Sequence, residues 1–171
     1  MTHVQHVTEG PTELDRVYGL RPQYYAIFME DYNCSIERVD PILVELCRLR
    51  MATLMGSQHD LSLRYKPAAA AGLTEEKVRE LSRYDSSPMF SDRERRCLDF
   101  AEQFVIQSSA ITDADVEQVQ SVLDPESFIF FVKALSVMDQ LQRGCVAFDI
   151  QPSRSVPSTL ANFRPAAQSI Q

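Results

Sequence analysis

Nearly every periodic stretch of this chain repeats at the helical spacing, and no run alternates apolar and polar residues cleanly enough to make a strand. The helix starts are explicit. Asp40-Pro41 sets an N-cap residue before a proline at the first helical position, where the missing N–H does no harm, and Asp124-Pro125-Glu126 repeats the device. Ser91-Asp92-Arg93-Glu94 has the reciprocal capping-box pattern, while Thr74 and Thr112 open further helices. The chain is therefore predicted to be all-α.

The expected helices run in order. A short one covers Thr12 to Val17, and Pro22 opens another that carries Tyr24, Tyr25, Phe28 and Met29 and ends near Asn33-Cys34. The helix from Asp40-Pro41 presents Ile42, Leu46, Leu49 and Leu54 and stops near Met55-Gly56. Ser57 to Ala71 is expected to restart as one helix kinked at Pro67 and ended by Gly72, with a further helix from Thr74 to about Tyr84. Cys97, Leu98, Phe100, Ala101, Phe104 and Val105 form the inward face after Ser91. Val116 and Val119 follow Thr112, and Phe128, Phe131, Val132, Leu135, Met138 and Leu141 line the long last helix.

With 171 residues, 44% of them hydrophobic, the chain suits a single domain, placed at residues 11–151 between a polar leader (1–10) and an irregular tail (152–171). Val156, Leu160, Phe163 and Ile170 give that tail enough apolar content to pack on a neighbouring subunit; a frayed end is the alternative. A formal charge of −7 opposes a general grip on nucleic acid or anionic membrane, which needs clustered Lys and Arg. Neither a basic, apolar leader nor a long apolar span occurs, so a soluble, cytoplasmic protein is expected. Cys47, Cys97 and Cys145 fall in apolar helical registers and read as small core residues. His3 and His6 alone make no metal site, and neither metal nor cofactor is expected.

One segment carries the candidate chemistry: Glu45, then Ser57-Gln58-His59-Asp60, then Arg64. Around it stand Leu43 to Arg50, the Gly56-Ser57 turn, Ala70-Ala71-Gly72-Leu73-Thr74-Glu75-Glu76, the loop Ser87 to Glu94, and Gln142-Arg143. In this order and spacing, the stretch from Asp40 to Gln151 resembles the carboxymuconolactone decarboxylase and alkylhydroperoxidase D superfamily. The resemblance implies a domain of about six to eight helices that assembles as trimers or hexamers. It also implies that Glu45 takes the position of a proton-relay carboxylate, that Ser57 and Asp60 stand where redox-active members carry Cys-x-x-Cys, and that Arg64 stands where they carry histidine. His59 occupies the intervening place where such members often have histidine. Since thiol–disulfide exchange needs two sulfurs, a hydroxyl and a carboxylate cannot perform it, and dithiol peroxidase chemistry is excluded at these positions.

Each candidate has a structural and a functional reading. Ser57 and Asp60 either form a capping box or leave Asp60 to act with Glu45 as paired carboxylates of split acidity. His59, the one histidine outside the leader, either packs in the core or moves protons near neutral pH. Arg64 either bridges to Glu45 or Asp60 or holds a substrate anion, and Arg143 pairs with Asp139 one turn back. Tyr65, with Tyr24, Tyr25 and Phe28, supplies either core or an aromatic pocket wall. The runs at Glu75-Glu76-Lys77 and Arg93-Glu94-Arg95-Arg96 read as solvated faces.

The functional expectation is a cofactor-independent, non-redox enzyme of decarboxylase, lactone-opening or isomerase type. In it Glu45, His59 and Asp60 are catalytic, and Ser57, Arg64 and Tyr65 bind a small organic acid or lactone. One alternative is a catalytically inactive helical binding or assembly protein; another is a peroxidase working through a lone cysteine such as Cys47.

Overall fold

The computed structural model describes residues 4–152 and the backbone of residues 159–160. The start of the leader and the tail residues Val156, Phe163 and Ile170 lie outside the described residues, as does the Leu160 side chain. The described chain is helical: α1 (Glu13–Tyr18), α2 (Pro22–Ile36), α3 (Pro41–Met55), α4 (Gln58–Leu61), α5 (Lys66–Ala70), α6 (Glu75–Arg79), α7 (Asp92–Gln107), α8 (Asp113–Gln120) and α9 (Pro125–Ala147). Single 3₁₀ turns follow α6 and α7. One two-residue ladder pairs β1 (Arg64–Tyr65) in parallel with β2 (Thr159–Leu160).

The start signals act as read. Asp40 accepts from the Leu43 N–H and Asp124 from the Glu126 and Ser127 N–H groups. Capping boxes close at Thr12/Asp15, Ser91/Glu94 and Thr112/Asp115. Gly56, at φ 73, ends α3 in the left-handed conformation that a Cβ would strain. α2 runs past Asn33 and Cys34 to Ile36, because Ile36 is buried and that packing outweighs the polar pair as a stop.

α3 is the central helix. Residues 43–49 are buried without a break, so α3 is enclosed on all sides, by α7 and α9 together with α4 and α5, while α2 packs on α9. Leu46, Leu98, Leu135 and Leu141 are fully buried at the centre, each such side chain being worth about 1.5–3 kcal/mol relative to exposure. Cys47, Cys97 and Cys145 are buried there as expected, and Cys34 is exposed. No helix among the described residues is long and apolar enough to cross a membrane.

The single kinked helix expected over Ser57 to Ala71 is not formed. Pro67 brings no N–H to bond the Leu63 carbonyl, so the segment breaks into α4, the extended Arg64–Tyr65 and α5, with the proline in the first turn of α5. The break leaves the Leu63 carbonyl and the Tyr65 N–H inside the protein, and the polar residues of α3 bond to both.

Candidate functional site

Glu45 and Arg48 project from one turn of α3 towards this broken segment. Their side chains form a two-point ion pair, Arg48 Nε to Glu45 Oε2 at 2.7 Å and Nη2 to Oε1 at 2.9 Å, and both residues are essentially without exposure. The rest of the guanidinium faces backbone: Nη1 donates to the Asp60 carbonyl (2.7 Å) and Nη2 to the Leu63 carbonyl (2.9 Å). Glu45 Oε1 accepts in addition from the Tyr65 N–H at 3.1 Å. Burial works against the Arg48 charge, but the adjoining Glu45 carboxylate outweighs it and raises the guanidinium above its ordinary range. Gln142 of α9 closes the cluster from above by donating to the Arg48 carbonyl at 2.9 Å.

Ser57 and Asp60 do not make the capping box. Ser57 accepts no backbone hydrogen bond; its hydroxyl donates to Asp60 Oδ2 at 2.5 Å, joining the two side chains directly. With α4 only one turn long, the carboxylate turns inward, where Oδ1 lies 3.8 Å from Arg48 Nη1 and the Cys145 thiol lies alongside. Glu45 and Asp60 thus meet through Arg48, which stands between the two carboxylates.

His59 is 4% exposed, and neither ring nitrogen makes a hydrogen bond among the described residues; the Gln151 backbone lies beside the ring without completing one of good geometry. Burial pushes its pKa below the ordinary 6.5, with Arg48 adding to the effect and the Asp60 charge opposing it. The imidazole is consequently neutral at neutral pH. The three buried thiols are also protonated: burial pushes Cys47 well above its usual range, Cys97 up to about 12, and Cys145 upward with help from Asp60.

Arg64 does not join this cluster. Its side chain turns outward to Glu75 (Nε to Oε1, 3.0 Å) and to the Leu61 and Leu63 carbonyls, because Arg48 already occupies the carboxylates it could have met. It lines a cleft of about 180 Å³ beside α6. A larger, open groove of about 590 Å³ lies between the C-terminal ends of α3, α7 and α9, edged by Ile106, Val146 and Arg143. Neither cavity is lined by Glu45, Ser57, His59 or Asp60. Tyr65, Tyr25 and Phe28 are buried core residues, while Tyr24 is exposed. Arg143 does pair with Asp139, at 2.8 Å on the surface.

The charge runs are less solvated than expected. Lys77 pairs with Glu94 at 2.6 Å, and Arg95 donates to the Tyr84 and Ser87 carbonyls, tying the 84–87 loop to α7. Among the described residues no group of three or more His, Cys, Asp or Glu is placed to hold a metal ion.

Arg48 is the site residue that the sequence reasoning passed over. The signal was present: a Glu-x-x-Arg pair within the apolar run from Leu43 to Leu49 puts both charges on one face of a stretch with no solvated side.

No protein-family model matches the chain, and no curated protein does. Among solved structures, a protein of unknown function from Agrobacterium tumefaciens superposes with a TM-score of 0.73 at 18% identity, over 85% of this chain and 99% of that one. The debrominase Bmp8, in complex with 2,3,4-tribromopyrrole, gives 0.73 at 16% identity over 84% and 78%. An alkylhydroperoxidase AhpD core protein from Ralstonia eutropha gives 0.65 at 15% over 80% and 74%.

Proposed function

Because this chain carries the alkylhydroperoxidase D-like helical fold with a hydroxyl and a carboxylate at the dithiol positions, we propose that it is a binding and assembly protein whose polar centre is structural. The observation that carries this reading is the saturation of Arg48 and Glu45. The guanidinium directs its donors to Glu45 and to the Asp60 and Leu63 carbonyls, and Glu45 also accepts from Tyr65. Groups committed in this way have little left with which to hold an anion or relay a proton.

Its partners on this reading are a small organic acid and further copies of itself. Exposed Leu20 just before α2 and Tyr24 and Ile27 on it, with Ile106 and Val146 at the larger groove, supply apolar surface of the kind that subunit contacts cover.

A second reading is favoured by one specific observation. His59 is neutral and buried next to Asp60, and among the described residues neither its ring nitrogens nor Asp60 Oδ1 has a hydrogen-bond partner. That pair suits a cofactor-independent acid–base enzyme of lyase or isomerase type acting on a small organic acid or lactone, with Glu45 and Ser57 in support and Arg64 and Tyr65 at the binding edge. A peroxidase working through Cys47 finds no such support, since that thiol is fully buried and protonated.

One sample tests the proposal. Purified protein is sedimented and then assayed for turnover with tert-butyl hydroperoxide under a dithiol reductant and with a series of small lactones and keto acids. The expected result is an oligomer without turnover in either assay. Turnover of a lactone or keto acid that disappears in His59→Ala establishes the enzyme reading instead, and a monomer at all concentrations contradicts the assembly role.

A further inference from the structure

The cleft beside α6 gathers Arg50, Arg64 and Arg79 against an apolar wall that includes Leu61, Val78 and Leu81. Like charges brought together repel unless something offsets them. Glu102 pairs with Arg50 and Glu75 with Arg64, whereas Arg79 has no ion-pair partner among the described residues. Among the described residues one positive charge thus stands without an ion-pair partner beside apolar surface. Arg50 is fixed further by the face of the Tyr84 ring, 5.6 Å from its guanidinium carbon, so it contributes field more than a free hand.

We propose that this cleft binds a short aliphatic monocarboxylate, with the carboxylate on Arg79, beside the Arg64–Glu75 pair, and the alkyl chain on Leu61, Val78 and Leu81. The unpaired arginine calls for a single negative charge, and a guanidinium fork donates two parallel hydrogen bonds to a carboxylate. At about 180 Å³ the cleft is smaller than the roughly 300–1,000 Å³ of most organic-ligand sites, which restricts the ligand to a few carbons. An inorganic anion would leave the apolar wall wet, while each methylene placed on it tightens binding roughly fourfold.

This inference deepens the binding reading above by giving the organic acid a place. It is nevertheless read by affinity at Arg79, not by turnover. Its failure leaves the silent centre standing, and turnover through His59 would leave the cleft standing.

Titration calorimetry with acetate, butanoate, butanamide and inorganic phosphate tests it on the whole chain and on Arg79→Gln and Arg64→Gln. Arg79 and Arg64 both lie in partly or fully open positions, so both variants are expected to fold, which their circular dichroism checks. Saturable butanoate binding about tenfold or more tighter than acetate, absent for butanamide and weakened about tenfold or more in Arg79→Gln, is the expected result. No saturation with butanoate, equal affinity in Arg79→Gln, or phosphate binding as tightly as butanoate overturns the assignment.

Discussion

Arg48 and His59 lie near each other in the core and meet opposite fates. Arg48 keeps its charge because Glu45 compensates it at hydrogen-bond distance, whereas His59 has lost its charge because burial outweighs the opposing Asp60 carboxylate. The histidine sets a pH dependence whose sign is definite. Its folded pKa lies below the ordinary 6.5, so under mildly acidic conditions the unfolded chain takes up a proton that the folded chain refuses. Stability from this source is complete above about pH 6.5 and declines as the pH falls towards the lowered value. Thermal melts between pH 7.5 and 5 are expected to show this decline, and His59→Gln to flatten it. A melt curve of equal slope in the variant would assign the acid sensitivity elsewhere. At this scale the sequence was legible where a residue followed its register, as for Cys47, Cys97 and Cys145. It was less so at Arg64, whose partner depended on Arg48 having already claimed Glu45.

Elements with capping chemistry at their start were placed by sequence to within a residue or two: α1, α3, α7, α8 and α9 begin where Thr12, Asp40, Ser91, Thr112 and Asp124 direct. The region from Ser57 to Ala71 was not, because its periodicity is helical, while Pro67 breaks it and the tertiary partners of Leu63 and Tyr65 help to hold the broken form. Close approach of elements is another feature that periodicity hides. Gly144 in α9 lets the Tyr18 ring of α1 come so near that a Cβ added there would lie 2.5 Å from the tyrosine oxygen. Alanine is the better helix former by about 1 kcal/mol, so on an open surface Gly144→Ala would stabilise the protein. Here it is expected to lower the melting temperature by forcing Tyr18 off its stack with Tyr25, whose ring centroid is 5.2 Å away. A melting temperature that rises instead would show that Tyr18 yields freely.

For the whole molecule, the fold and its centre describe one arrangement. α3 packs among its neighbours, and it carries Glu45 and Arg48 where the segment between α4 and α5 does not close its own backbone bonds. The ion pair thereby joins the break between α4 and α5 to the core. Removing one partner of a buried pair costs about 3–5 kcal/mol, because the other charge is left alone, while replacing both by apolar residues of similar size is often close to neutral. The most direct test of a structural centre is therefore a double-mutant cycle, followed by urea unfolding, over Glu45→Met, Arg48→Met and the pair together. Each single change is expected to destabilise by about 3–5 kcal/mol and the double change by clearly less than their sum. Single variants as stable as the parent chain would contradict the account and return Glu45 and Arg48 to the groups held ready for chemistry.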